Sequence, residues 1–547
     1  MSSLKLGPLL RYVGETEATV WVETDSPCEV TVLGTTERTF CVCGHHYAML
    51  ILDGLEPGGR REYEVHLDAE VAWPEGNDPA GVIRPPARDD RLTLAFGTCR
   101  VSLPHEPPFT LTKDEDDRGR EVDSLAALAE RMSDSPEDEW PDALLLIGDQ
   151  VYADEVSPSV LERIEARRST DHGAGREIAD FEEYTWLYEE SWGDPAIRWL
   201  LSSLPSAMIF DDHDVCDDWN TSGAWAREQR KLPWWRERLL CAYMSYWLYQ
   251  HLGNLSPREL REDEMLAKLK AHDGDGAGML REFAATSADE IASTRWSFRR
   301  DFGRTRLVVL DSRAGRIIED DSDRQMLSDE QWRWVSDQIT GDVDHLLVAS
   351  SLPILMSEGL HHLEAWNEAL CAGAWGKAAV KQSEKLRREV DLEHWPAFRH
   401  CFDRLIGELR QAGSGKRGEA PASMILLSGD VHHAYVAEAQ FPDEADVTSR
   451  LAQAVCSPMR NPLDSKERHI MKAALSKPGI AVAKLLARAA KVPPTALRWE
   501  FVQDPTFDNQ IGTVEIDGRH SSIRIEKTEP GDWRSPRLHE SLDFDLA

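Results

Sequence analysis

Between residues 8 and 70 apolar and polar positions alternate in short pieces, "ATVWVETD", "CEVTVLG", "YAMLILDGL" and "REYEVHLD", with Gly, Pro and Asp punctuating them. That two-residue period predicts an antiparallel β-sandwich. A polar, proline-bearing stretch follows, "WPEGNDPAGVIRPPARDDR" (73–91). It marks the expected boundary between an amino-terminal module, residues 1–88, and a larger domain, residues 89–547. Beyond the boundary the pattern changes to six widely spaced apolar runs of strand length. They are "LTLAFGTCR" (92–100), "ALLLIGDQVY" (143–152), "AMIFDDHD" (207–214), "TRLVVLDSR" (305–313), "HLLVASSLPIL" (345–355) and "SMILLSGDVHH" (423–433). Continuous apolar runs belong to strands buried on both faces, so the larger domain is predicted to be α/β, its sheets covered by helices. Residues 181–250 and 358–412 carry helical periodicity, and the tryptophans of the first stretch are assigned to core or pocket wall.

In such sheets ligands sit beyond the carboxyl ends of the strands. Most of the six runs end in residues able to ligate or to carry charge: Cys99 and Arg100, Asp149 and Tyr152, Asp211 to Asp214, Asp311 and Arg313, Asp430 and His432. Removing even one carboxylate from water costs several kcal/mol, so bunched aspartates require solvent, an arginine partner or a cation. One such strand end is readily a solvated turn. Several of them together point to a metal centre.

Length and charge narrow the rest. At 547 residues the chain exceeds what one core supports, and no apolar run approaches a membrane span. The balance of 62 basic against 97 acidic residues gives a formal charge of -35, which disfavours nucleic acid as a partner. Nine cysteines without a CxxC pair indicate neither a disulfide framework nor a structural zinc site. With no signal peptide or twin-arginine segment seen at the start, a cytoplasmic location is expected. Residues 466–491, "KERHIMKAALSKPGIAVAKLLARAAK", carry seven basic residues and one acidic one. They read either as a helix docked on the protein's own acidic face or as an amphipathic lid that attracts anionic substrates or a membrane surface. "DGDGAG" (273–278) is too short and glycine-rich for a calcium loop.

Five motifs in order, "FGTC", "GDQVYAD", "DDHDVCDDWN", "LDSR" and "SGDVHH", resemble the signature of the alkaline phosphatase D (PhoD-like) branch of the calcineurin-like metallophosphoesterases. The resemblance spans residues 92 to 460. It implies a four-layer αββα core behind a fibronectin III-like amino-terminal sandwich, and a metal-dependent phosphomonoesterase or phosphodiesterase acting on a small phosphate ester. Two cations share one carboxylate in that superfamily and activate a water for in-line attack. By resemblance Asp149 bridges, and Cys99, Asp149, Tyr152 and His432 hold Fe(III), a cation suited to thiolate and phenolate. Asp149, Asp212 and Asp430 form an all-oxygen second site that favours Ca2+, other divalent metals being admissible. Ser350 and Ser351 stand where other branches use a ligating histidine. His213 is the candidate general acid or phosphate-orienting group, with Asp214 on its other ring nitrogen, or else a histidine that orders its loop. Arg100 and Arg313 either grip phosphate or pair with the aspartates. Cys99 is otherwise a core thiol. Gly429 lets the backbone turn, and His433 falls behind the ligands or at the pocket rim. The alternatives are a phospholipase D-type phosphodiesterase, with 466–491 as its membrane face, and a catalytically silent metal-binding relative.

Overall fold

In a computed structural model the protein is described over residues 2–546, except 77, 88, 89, 320–322, 443–445 and 475. The expected boundary at 88 and 89, and Leu475 within the basic stretch, lie outside the described residues. The alternating amino-terminal pattern forms two antiparallel four-stranded sheets. One has the order Leu4–Val13, Glu17–Thr24, His45–Asp53, Phe40–Val42; the other runs Thr35–Arg38, Glu29–Val32, Val65–Leu67, Glu70–Trp73. Val20, Val22, Val30, Val32, Leu50, Val65 and Trp73 fill the space between them.

The first sheet is apolar on its outer face as well. Leu6, Leu9, Trp21, Tyr47 and Met49 belong to the core of the larger domain, which is why the strand Glu17–Thr24 is buried along nearly its whole length. Module and larger domain therefore share apolar packing. Arg11, fully buried, reinforces it by donating to the carbonyl oxygens of Ser206 (3.2 Å), Tyr249 (2.6 Å) and Gln250 (2.9 Å).

Each of the six apolar runs begins as a strand, and together they lie in two mixed sheets. In the first, Ser206–Ile209, Ala143–Ile147 and Arg91–Gly97 are parallel neighbours. That sheet continues antiparallel through Gln510–Asp517, His520–Lys527 and His539–Asp545. In the second, Thr305–Leu310, His345–Ser350, Ser423–Ser428 and Arg450–Val455 are parallel, with Phe298–Phe302, Tyr435–Gln440 and Arg498–Phe501 antiparallel at the edges. Both sheets contribute to one continuous apolar core.

The tryptophan-rich stretch folds as the helices Phe181–Trp192, Pro195–Ser203, Gly223–Gln229 and Trp235–Ser245, the last continuing into a π-helical turn, Tyr246–His251. Residues 358–412 lie in the helices Glu358–Cys371, Lys377–Glu389 and Arg399–Gly413. Asp180, Asp194 and Ser222 accept hydrogen bonds from the first-turn amides of their helices, so polar residues set those starts. The basic stretch forms two helices, Ser465–Ala474 and Lys477–Ala489. Asp275 of "DGDGAG" accepts from the amides of Cys43, Gly44 and Ala277, a turn clasping the module.

Candidate metal centre

Parallel register brings the polar strand ends together. Gly97 pairs with Leu146 and Ile147 with Ile209, so Cys99, Asp149 and the Asp211–Asp214 run leave adjacent strands on one side. On the other sheet Leu310 pairs with Ser350 and Ala349 with Leu427, which delivers Arg313, Ser351 and Asp430. The chain turns sharply at each exit. Cys99, Asp149, Asp430 and His432 all adopt positive φ, 55°, 48°, 65° and 51°. A non-glycine residue held there costs about 1–3 kcal/mol and persists where the surroundings over-determine it.

The carboxylates converge. Asp149, Asp212 and His213 each place one ligand atom within 4.8 Å of the others, and so do Asp211, Asp212 and Asp430. Three buried oxygens in this cluster, Asp149 Oδ1, Asp211 Oδ2 and Asp212 Oδ1, have no hydrogen-bond partner. The last has only an ion-pair contact, 3.3 Å from Arg313 Nη2. Burial pushes the carboxyls of Asp149, Asp211 and Asp212 up; His213 beside Asp149 and Arg313 beside the other two pull against it, and the neighbouring carboxylates add to it. Buried acceptor atoms without a hydrogen bond, set among other carboxylates, are the donor set a hard cation satisfies, so Asp149, Asp211 and Asp212 fit a metal, with Asp430 in the same cluster.

The softer donors stand beside them. The Tyr152 hydroxyl donates to Asp149 Oδ2 (3.4 Å) and accepts from Asn461 Nδ2 (3.4 Å). Cys99 is fully buried, its Sγ 3.6 Å from the Asp430 carbonyl oxygen. Burial first, then the carboxylate of Asp149, pushes both the thiol and the phenol well up. Ionising either one calls for a cation at contact. Burial pulls the His432 imidazole down to about 3, leaving it neutral as a ligand must be.

Both arginines depart from the phosphate-gripping expectation. Arg100 Nε donates to Asp123 Oδ2 (2.8 Å) and its Nη1 to the Ser191 carbonyl (2.9 Å), so its fork is spent on a helix cap rather than turned to the cluster. Arg313, with no exposed surface, is wrapped by Asp211, Glu393, Asp212 (3.3 Å) and Asp430 (3.4 Å). It pairs with the aspartates.

His213 also differs. Its Nδ1 is 3.0 Å from Asp154, while Asp214 instead accepts from the amides of Asp211 (2.9 Å) and Val151 (3.3 Å) and from Gln250 Nε2 (3.2 Å). Asp214 is thus a brace for the loop. Gly429 has no positive φ; a Cβ there would lie 1.7 Å from Thr98 Cγ2, so close approach is the requirement. The His433 ring packs against Tyr435 and Phe507, with Nδ1 on the Val431 carbonyl (2.6 Å).

Other residues enter from outside the motifs. His394 lies between Glu364 (Nδ1 to Oε1, 2.7 Å) and Asp430 (Nε2 to Oδ2, 3.1 Å). Burial works against charge on Asp430, but His394 and Arg313 hold its carboxyl well below the usual range. Ser350 accepts from Trp395 Nε1 (2.9 Å) and Ser351 bonds Ser312 (2.7 Å), so both serines are structural. His394 lies in an insertion with no recognisable motif, where a histidine preceded by two acids, "DLEHW", is the one signal.

Among curated proteins no match is found. A solved structure titled "Structure of PhoD" superposes with a TM-score of 0.60 at 13% identity, covering 99% of this chain and 90% of that one. A second, of a maltogenic amylase from S. marinus, reaches a TM-score of only 0.17 at 11% identity, over 95% of this chain and 76% of that one. Residues 1–85 match a domain of unknown function, DUF7800. Residues 127–494, well over half of the sequence, match the PhoD-like phosphatases, and to that family the chain belongs.

Proposed function

We propose that the protein is a metal-dependent phosphoric ester hydrolase whose two mixed sheets, flanked by helices, form a four-layer metallophosphoesterase core. The observation that carries this reading is the trio of buried carboxylate oxygens without a hydrogen bond, on Asp149, Asp211 and Asp212, at converging strand ends. In it Cys99, Asp149, Tyr152 and His432 would hold Fe(III), and Asp149, Asp212 and Asp430 would hold a second cation, Ca2+ by preference. When bound, the cations supply Lewis acidity toward phosphate oxygens and make water acidic enough to attack at neutral pH.

The chain's own residues do the remaining work. Asp154 fixes the His213 ring through Nδ1, which leaves Nε2 as the atom that carries a proton to the leaving oxygen. Arg313 offsets the excess negative charge behind the carboxylates without touching substrate. A groove of about 1050 Å³ is lined by Lys472, Trp499, Phe501 and Phe507, and Phe507 abuts His433 beside the centre. It offers an apolar wall to the organic part of a small ester, edged by Lys472 and Arg498 and by the acids Glu358, Glu438, Glu500 and Asp504.

Replacing Asp149 by Asn is expected to lower metal-dependent hydrolysis of a chromogenic phosphate ester by at least about 10³-fold, the carboxylate being shared by both cations. Elemental analysis and a visible spectrum accompany the assay. Wild type that binds metal yet is as inactive as the variant on monoesters and diesters would leave only a silent metal-binding relative, and a colourless zinc protein would overturn the iron assignment.

A further inference from the structure

The helix Lys477–Ala489 reverses the usual amphipathic arrangement. It packs against Glu358–Cys371 through small side chains, with Ala483 and Ala487 buried and Lys484 paired to Glu358 at 2.8 Å. Of its four large apolar side chains Ile480 and Leu486 are half-buried, and Val482 and Leu485 face out. Pro478, Ala481, Val482, Leu485 and Ala489 are all exposed and share one stripe at i, i+3, i+4, i+7 and i+11. Val482 and Leu485, 58% and 67% exposed, are the most exposed large apolar residues among those described. Trp375, 46% exposed, lies alongside, its indole N–H 3.4 Å from the Ala489 carbonyl oxygen. A single exposed leucine signifies nothing, whereas a stripe with an aromatic beside it does.

Charge selects the occupant. Lys477 and Arg488 border the stripe and Lys491 follows it, all exposed. They belong to a stretch with seven basic residues and one acidic residue in a chain of formal charge -35. This basic rim sets the face apart from the rest of an acidic chain, and a bilayer with anionic headgroups over an acyl interior matches cations and apolar stripe together. No helix among the described residues is long and apolar enough to cross a membrane, so the contact is with a surface.

We propose that the outer face of the helix Lys477–Ala489 is a docking surface for anionic lipid bilayers. Val482, Leu485 and Trp375 enter the boundary between headgroups and acyl chains, while Lys477, Arg488 and Lys491 meet lipid phosphates. This contact does not rest on the hydrolase reading and is measured without turnover.

The test is flotation of the purified full-length protein with phosphatidylcholine vesicles, with and without about one third phosphatidylglycerol, at low and high salt. Wild type is expected to float with the anionic vesicles only, and less so as salt rises. Val482→Asp/Leu485→Asp should cut the partition coefficient about tenfold or more. Its circular dichroism and melting point should match wild type, because both side chains lie outside the core; should it fail to fold, Val482→Ser/Leu485→Ser replaces it. The proposal is overturned if wild type stays unbound at low salt or if the variant floats as well as wild type. A wild-type dimer in analytical ultracentrifugation that the same variant converts to monomer would also overturn it, giving the stripe to a second copy.

Discussion

A methyl group on Gly429 would sit 1.7 Å from Thr98 Cγ2 and 2.7 Å from its Cβ, and Thr98 is itself buried and donates to the Gly148 carbonyl (3.0 Å). At this glycine, immediately before Asp430, the exit of the strand Ser423–Ser428 meets the exit of Arg91–Gly97 on the other sheet. Overpacking of this kind costs about 1–3 kcal/mol or more, so Gly429→Ala is expected to lower the denaturant midpoint accordingly. Adding Thr98→Ser, which removes Cγ2, should recover part of the loss. The other residue that sets Asp430 is His394, held in orientation by Glu364. Partners behind a ligand typically tune metal affinity by about 10–100-fold. His394→Gln is therefore expected to weaken metal retention by that factor in a chelator competition; retention equal to wild type would remove the imidazole from any such role. Asp149, Asp212 and Asp430, which the fold brings into the clustered carboxylates, stood out in the sequence because each follows an apolar run closely, whereas Cys99 and His432 were singled out as ligands by resemblance alone. His394, Glu364 and Asp154 were not legible, because a hydrogen-bond partner is chosen by three-dimensional approach and leaves no spacing to read.

At the scale of elements the same division holds. The six parallel or central strands stood out because burial on both faces writes a continuous apolar run. Gln510–Asp517 and His520–Lys527 interleave polar residues, "QIGTVEID" and "HSSIRIEK", and pass for surface segments until paired antiparallel to Arg91–Gly97. Nor did alternation in the amino-terminal module reveal that its first sheet is apolar on both faces. The π-helical turn Tyr246–His251 shows what that sheet does. Arg11 holds the carbonyls of Tyr249 and Gln250 and that of Ser206, at the start of the strand leading to Asp211. The Gln250 side chain then reaches Asp214. Arg11→Met would leave three buried acceptors unpaired at about 1–3 kcal/mol each. It is expected to lower stability by at least about 3 kcal/mol in denaturant titration. A change confined to the module's own unfolding, with the Asp211–Asp214 loop equally resistant to proteolysis, would contradict this bracing role.

For the whole molecule, a histidine with two carboxylate partners sits at the junction of module and larger domain. His45 of the module bonds Glu23 through Nδ1 (2.8 Å) and Glu182 of the helix Phe181–Trp192 through Nε2 (2.8 Å). The Tyr249 hydroxyl, on the catalytic side, also donates to Glu23 (2.8 Å). Burial pulls the imidazole pKa down, but the two carboxylates outweigh it and the net displacement is upward from 6.5. A group whose folded pKa is raised binds more protons folded than unfolded, so its stabilisation is complete below the unfolded value and is lost as pH rises through the folded one. Both histidine nitrogens must carry protons to donate to both acids, and deprotonation leaves one carboxylate facing a lone pair. The loss therefore falls on one of two contacts, Glu23 within the module or Glu182 across the junction. The difference in melting temperature between wild type and His45→Gln, which cannot be charged, is expected to favour wild type at about pH 6 and to shrink steadily toward about pH 8.5. Taking the difference cancels the titration of carboxylates common to both proteins. A difference that stays constant over that range, or grows with pH, would show that His45 is held neutral and that the junction owes nothing to its charge.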